Sequence, residues 1–315
     1  SEESIVSFDN IPRISIGLPV YNGEDYLALA VDSILSQTFT DFELIISDNA
    51  STDGTEKICR EYAAKDSRIR YHRMPHNMGG AANYNNTLDM ARGAYFKWAA
   101  HDDLIAPTFL AACSKVLDEQ PDVVLAYAQV VNINQHGEVI EHYESGFNLT
   151  SDDPIERFRK FFKAPVKCNP VFGIMRTAQL RKTLRHGTFI AADRILLGEL
   201  SLLGKIHEVP EYLFLRRIHP NMSTEANKST RDLAGWFDPK NRSKIQMPKW
   251  KWLIEYMRAI NRVPLTAAQR NAARKVVLQV MLPPRKWPAM IKEIAQATVE
   301  LPIVSYHRLR TNTGR

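Results

Sequence analysis

The stretch Ile14-Ser-Ile-Gly-Leu-Pro-Val-Tyr-Asn22, answered further on by Phe42-Glu-Leu-Ile-Ile-Ser-Asp-Asn49, decides the fold. Each opens with a short apolar run rich in β-branched residues and closes on proline or polar residues, so each reads as a strand buried on both faces. Between them Tyr26, Leu27, Ala30, Ile34 and Leu35 recur at helical spacing. Strand, helix and strand within that span suit one right-handed crossover between parallel neighbours.

The same grammar runs outward. Asp53-Gly54-Thr55 opens a helix to about Ala64, Arg68–His72 reads as a strand, Gly80–Arg92 as a helix and Ala94–Ala99 as a strand ending at His101-Asp102-Asp103. A helix over Pro107–Glu119, with proline in its first turn, and a strand over Val123–Val130 follow. This alternation predicts an α/β fold, a mainly parallel sheet flanked by helices. Beyond Val130 it loosens: a hairpin turn at Asn134–Gly137, a helix Pro154–Phe162, a strand Asn169–Met175, helices Thr177–Leu184 and Asp193–Leu203, and strands near Ile206–Val209 and Tyr212–Arg216. A polar stretch, Thr224–Arg231, then leads to tail helices around Trp250–Ile260, Ala267–Met281 and Pro288–Val299. Residues 1–235 are expected to form the catalytic domain and 236–315 a basic helical C-terminal extension.

Composition bounds the function. With 315 residues, 44% hydrophobic, the chain can bury a sizeable core, and no apolar run approaches the ~18 residues of a membrane span. The three cysteines, Cys59, Cys113 and Cys168, are odd in number and far apart, which fits neither a disulfide framework nor a CxxC metal site. A reducing, cytoplasmic setting is expected. The net charge of +6 is unevenly spread: Lys240–Arg315 carries 16 Lys+Arg against 3 Asp+Glu, a net of +13, and the residues before it are −7. Such a tail is expected to meet an anionic surface.

Ligands of open parallel sheets bind beyond the carboxyl ends of the strands. Three polar clusters fall there: Pro19-Val-Tyr-Asn22, Asp48-Asn-Ala-Ser-Thr-Asp-Gly54 and His101-Asp102-Asp103. The second cluster taken alone reads better as helix capping, since Ser, Thr, Asp and Gly are what a strand-to-helix turn uses. In the third, two adjacent carboxylates repel unless a cation or strong donor lies between them, so metal binding and an ordinary turn both stay open on spacing alone.

Taken together these residues resemble the nucleotide-sugar glycosyltransferases of the GT-A fold, family 2, over roughly residues 12–223. The resemblance rests on Ile16–Asn22, Ser33-Ile-Leu-Ser-Gln-Thr-Phe39, Glu43–Thr55, Asn77-Met-Gly79, Ala91-Arg-Gly-Ala-Tyr-Phe96, His101-Asp-Asp103, and Arg217-Ile-His219 with Ser223, in this order. It implies an inverting, metal-dependent transfer from a UDP-sugar to a glycan or lipid-linked acceptor. By the same resemblance Tyr21 would lie against the nucleobase and Asp48 would accept a hydrogen bond from it, with Pro19 and Asn22 shaping the pocket and Asn77 and Gly79 completing the nucleotide-sugar site. Asp102 would face the ribose or a ligand-bound water, and Arg217 the diphosphate. Asp103 and His219 would bind Mn²⁺, or Mg²⁺, and Asp193 would be the base. Many members carry a further Asp where this chain has Ala99-Ala100-His101, which leaves fewer carboxylates for the metal. Glu141–Asn148 and Phe161–Phe172 are the loops expected to select sugar and acceptor.

Other classes fit less well. A nicotinamide dehydrogenase needs GxGxxG where this chain has Pro19-Val-Tyr-Asn22-Gly23, and a nucleotidyltransferase a Gly-rich phosphate loop that the start of the chain lacks. A non-catalytic glycan-binding protein is the remaining alternative, against which stand Asp102, Asp103 and Asp193. In the tail, Trp250, Trp252, Tyr256, Arg258, Arg262 and Arg285-Lys-Trp287 suit either peripheral contact with an anionic membrane or a packed helical cap, and no nucleic-acid motif accompanies the charge.

Overall fold

The computed structural model describes residues 11–143, 146–164, 167–227 and 229–298. Strands β1 (Ile14–Val20), β2 (Phe42–Asp48), β3 (Ile69–Arg73) and β4 (Tyr95–Trp98) form the parallel block, in the order β3-β2-β1-β4. Helices α1 (Leu27–Leu35), α2 (Thr55–Lys65) and α3 (Gly80–Met90) make the crossovers. A two-residue strand β5 (Leu104–Ile105), helix α4 (Phe109–Glu119) and the long strand β6 (Val123–Ile133) follow. The hairpin turn leads to β7 (Val139–Tyr143), antiparallel to β6.

The second half completes the sheet. Helix α5 (Pro154–Lys163) is capped by Asp153, which accepts from the Ile155 N–H and precedes a proline in the first turn. Strand β8 (Ile174–Arg176), short helix α6 (Thr177–Leu180), helix α7 (Ala192–Leu203) and strand β9 (Lys205–Arg217) come next. β8 lies antiparallel between β4 and β6, β9 runs parallel to β6, and β5 pairs antiparallel with β9. The sheet is therefore mixed but mainly parallel, as its sequence predicts.

Alternation divides the core into two layers. Leu44 and Ile46 of β2 and Ala126, Ala128 and Val130 of β6 pack with Leu27, Val31 and Ile34 of α1 and Phe109, Leu110 and Leu117 of α4. Ile45, Phe96, Trp98, Leu125 and Tyr127 point the other way, against Leu88 of α3, Phe158 and Phe161 of α5, and Ile195, Leu196 and Leu200 of α7.

Four local expectations are corrected. Asn169–Met175 is not one strand: Asn169–Phe172 is a 3₁₀ turn, where Pro170 has no N–H to give a ladder, and only Ile174–Arg176 pairs. The helix expected over Thr177–Leu184 stops at Leu180. The two strands expected around Pro210 are one 13-residue strand, because Pro210 and Glu211 are skipped where Ala128 pairs with Val209 and Gln129 with Tyr212. Thr224–Arg231 is not a plain linker: it contains the end of α8 (Ser223–Ala226) and the start of α9 (Thr230–Phe237), whose cap Ser229 accepts from the Asp232 N–H.

The tail forms α10 (Pro248–Arg262), α11 (Ala267–Met281) with a Thr266/Gln269 capping box, and α12 over 287–298. Position 299, where the last helix was expected to end, lies outside the described residues. Tyr256 and Ile260 of α10 and Ala273, Val276 and Val277 of α11 are buried in the same cluster as α5 and α7. Arg262 grips the fully buried Glu199 with two hydrogen bonds of 2.7 and 3.0 Å. Removing Arg262 would leave that carboxylate buried with, among the described residues, the Leu184 N–H at 3.0 Å as its remaining close donor, so the pair ties the tail to α7.

Candidate active site

The register of the parallel block sets Val20, Asp48 and Arg73 side by side at the carboxyl ends of β1, β2 and β3. Asp48 is wholly buried and held by its neighbours: Oδ2 accepts from Tyr71 Oη at 2.9 Å and Arg73 Nη1 at 2.5 Å, and Oδ1 from the Ser51 N–H at 2.8 Å. Of about four acceptor positions on a carboxylate, three are filled, which leaves one for a ligand donor. Tyr71 and Arg73 were not singled out by sequence reasoning, although their alternation on the strand next to Asp48 carries the signal.

Around this carboxylate the backbone is bent sharply. Pro19 and Val20 end β1 inside the core, and Tyr21 beyond them is 43% exposed, an aromatic face open to solvent beside Asn22. Asn22 adopts φ +50°, its side chain accepts from the Thr52 N–H at 2.8 Å, and its own N–H donates to Ser51 Oγ at 2.9 Å. Ala50 is likewise left-handed, at φ +60°. Such conformations are held only when the surroundings over-determine them. Asn77 Oδ1 accepts from Asn49 Nδ2 at 3.0 Å and from the Gly79 N–H at 2.9 Å, joining the second loop to the start of α3. Gly79 needs to be glycine, since its φ is +88° and a Cβ there would sit 2.7 Å from the Phe237 carbonyl oxygen.

The acidic pair lies at the turn between β4 and β5. Antiparallel pairing of Leu104 with Leu215 and Ile105 with Phe214 carries it against the end of β9. There Asp103 Oδ1 accepts from the Arg217 N–H at 2.8 Å, and Asp102 Oδ2 lies 2.9 Å from His219 Nε2. Burial and the adjacent Asp102 charge push the Asp103 carboxyl above the usual range. Burial acts in the same direction on Asp102, but its bond to His219 and the charges of His101 and His219 overcome it and hold the carboxyl low. Arg217 is buried, and its guanidinium donates to the carbonyls of Asp102 at 2.9 Å, Asn134 at 3.2 Å and Gln135 at 3.3 Å while lying over the Tyr26 ring. Its hydrogen bonds thus brace the turn that carries the acidic pair.

Asp193 stands in the first turn of α7, two residues after its N-cap Ala191 at φ +59°. Oδ1 accepts from the Arg194 N–H at 2.8 Å. Burial raises its carboxyl pKa, partly offset by that N–H, the Cys168 thiol and the Arg194 charge. The segment before it is fastened from two sides: Asn85 of α3 exchanges bonds of 2.8 and 3.0 Å with the His186 backbone, and Trp252 Nε1 of α10 donates to the Ile190 carbonyl at 2.7 Å. Tyr84, one turn into α3, is raised above the ordinary phenol range by burial and then by the charges of Asp102, Asp103 and Asp193. The charges of all three aspartates therefore bear on one phenol, a residue that local pattern does not single out.

Among the described residues no group of three or more His, Cys, Asp or Glu side chains is placed to hold a metal ion. Two features nevertheless fit a divalent cation sharing its coordination with phosphates, as Mg²⁺-type sites do. The half-buried Asp102 and the buried Asp103 are adjacent carboxyls, the second raised by its burial and then by the charge of the first, and His219 Nδ1 is a buried nitrogen without a hydrogen-bond partner among the described residues.

The sheet order and the strand-end placement of these residues define an α/β protein of the GT-A class. Residues 15–180 match the family described as Glycosyl transferase family 2, more than half of the chain, and the chain belongs to that family. It is 27% identical over 209 residues to the chondroitin synthase of Escherichia coli, covering 66% of this chain and 29% of that protein. An uncharacterized glycosyltransferase of Methanocaldococcus jannaschii is 31% identical over 135 residues, 42% of this chain and 47% of its own length. The chain thus spans less than half of either relative. Staphylococcus aureus TarS residues 1–349, solved with UDP-GlcNAc, shares the fold at a TM-score of 0.60 and 17% identity, over 90% of this chain and 80% of that one.

Proposed function

We propose that the chain transfers a sugar from a UDP-sugar to a hydroxyl of a glycan or lipid-linked saccharide, with inversion at the anomeric carbon. The observation that carries this reading is the junction of Asp102 and Asp103 with His219 and the Arg217 N–H, at the carboxyl-end edge of the parallel block that also carries Tyr21 and Asp48. Tyr21 stacks on the base and the remaining acceptor site of Asp48 takes its N–H, with Pro19, Asn22, Asn77 and Gly79 shaping the loops around them. Arg217 serves the donor indirectly, by holding the turn of the acidic pair.

Asp103 and His219 would hold Mn²⁺ or Mg²⁺, which when bound neutralises charge on the departing diphosphate. Asp102 keeps the His219 imidazole oriented through its 2.9 Å bond. Asp193, made more basic by burial, takes the proton of the acceptor hydroxyl as that oxygen attacks. With one base and no second nucleophile the displacement is direct. Residues 1–235 act as the catalytic unit and 236–315 as its extension.

The reading is tested by screening nucleotide sugars for thermal stabilisation and nucleotide release, with and without Mn²⁺. A UDP-sugar should stabilise the protein, and Asp193→Asn should lower turnover by about 10²–10⁴ while that stabilisation persists. Absence of any nucleotide-dependent shift overturns the donor assignment, and undiminished turnover in Asp193→Asn moves the base elsewhere.

A further inference from the structure

On the side of the molecule built by α5 and α11, a groove of about 420 Å³ is lined by Arg159, Lys163, Arg285 and Lys286 over a floor of Phe162, Val276 and Val280. Gln279 completes the lining, and among the described residues no carboxylate enters it. Lys286 donates to the Val280 carbonyl at 2.8 Å, and burial together with the charges of Arg285 and Arg194 depresses its pKa. Four cations over an apolar floor describe a place for an anion that carries hydrocarbon.

A second observation adjoins it. α12 starts immediately after Lys286 and buries Met290 and Glu293, the latter bonded to Lys249 at 2.9 Å. Trp287, Ile291 and Ile294, spaced i, i+4 and i+7, form a separate stripe and are 53, 60 and 45% exposed. Leu278 of α11 adds a further exposed apolar side chain at 44%. Trp287 also keeps its indole N–H bonded to the Leu282 carbonyl at 3.0 Å, presenting its ring with the polar edge satisfied. Among the described residues no helix is long and apolar enough to cross a membrane. Exposed Trp and Ile beside clustered Lys and Arg are what a helix lying in the headgroup layer requires.

We propose that the groove between α5 and α11 and the exposed stripe of α12 form one docking surface for an anionic phospholipid membrane, the cations taking headgroup phosphates and the stripe entering the acyl boundary. The charge of the groove selects this occupant: among the described residues its charged lining is Arg159, Lys163, Arg285 and Lys286, cations alone. The inference stands apart from the donor and base assignments, because none of these residues belongs to the strand-end site.

The test is co-sedimentation of the full chain with vesicles of phosphatidylglycerol and phosphatidylcholine against vesicles of phosphatidylcholine alone. The protein should pellet with the anionic vesicles, at least about tenfold more strongly than with the neutral ones, and raised salt should weaken it. Arg159→Glu/Lys163→Glu/Arg285→Glu and, independently, Trp287→Ser/Ile291→Ser/Ile294→Ser should each lower that partitioning about tenfold or more. Thermal midpoints are read alongside, and glycerol phosphate in solution should not displace the protein. Three results would overturn the proposal: no preference for anionic vesicles, displacement by soluble phosphate, or stripe variants that lose thermal stability yet pellet as before. The last would mean that another part of the chain covers α12.

Discussion

Asp102 and His219 meet at 2.9 Å although 117 positions separate them in the chain. The contact follows from the short antiparallel pairing of β5 with β9, which sets the residues before Leu104 against those after Leu215. Asp103, bonded to the Arg217 N–H, fixes the same junction from the backbone side. His219→Ala would strip Asp102 of its imidazole partner. A hydrogen bond to a charged group of ~1.5–3 kcal/mol corresponds to a loss of about 10–100-fold in turnover. Nucleotide release measured at saturating donor checks this, and full turnover in the variant would remove His219 from the site.

The start of α3 is closed over by α9. Gly79 has a backbone conformation open essentially to glycine alone, and a Cβ on Gly80 would come 2.9 Å from the Trp236 ring. Gly79→Ala should destabilise the protein by about 1–3 kcal/mol through its backbone. Gly80→Ala should instead be relieved by Trp236→Ala, so that the double variant is less destabilised than the two single costs predict. Urea melts of the four proteins decide it, strict additivity being the contrary result.

Trp252 reaches from the C-terminal extension to the Ile190 carbonyl, close before Asp193. Trp252→Phe keeps most of the packing and loses the indole donor. Turnover should fall by a few-fold to about tenfold with donor KM unchanged, as expected for ~0.5–1.5 kcal/mol of positioning. A rise in KM at constant kcat would instead assign Trp252 to donor binding.

His186 is buried among Tyr84, Trp98 and Phe237, and its Nδ1 has no hydrogen-bond partner among the described residues. Burial pushes its pKa down to about 4, against 6.5 for the free side chain. The unfolded chain therefore takes up a proton below pH 6.5 that the folded one refuses until about pH 4. The contribution is complete above pH 6.5 and declines as pH falls through that window, by roughly 3 kcal/mol in all. His186→Phe should flatten the decline between these limits in urea melts at stepped pH. An unchanged pH slope would show that His186 titrates freely in the fold.

Much of this architecture is written locally. The runs at Ile14–Val20 and Phe42–Asp48 are strands because Ile14, Ile16, Val20, Ile45 and Ile46 supply β-branched residues to segments buried at every position, and Asp53-Gly54-Thr55 leads into a helix because those residues suit a strand-to-helix turn. The motif clusters were legible for the same reason, since strand-end loops carry their polar residues together in sequence. Pro210 misled the reading because a proline ends a strand unless the partner strand can pass it by, and only the pairing with β6 reveals the bulge. The α9 segment was missed because its purpose, covering Gly79 and Gly80, lies with residues far away in the chain.

By itself the sequence determined the alternating α/β order, the family signature and the inventory of acids, because period and turn chemistry are properties of neighbouring residues. Only the tertiary structure decided that Asp102 rather than Asp103 faces His219, that Asp103 takes the Arg217 N–H, and that Arg217 spends its side-chain donors on backbone carbonyls. Each of these depends on sheet pairing and helix packing between distant segments. A buried polar group is satisfied by whichever partner the fold brings within reach, and local pattern does not encode that choice.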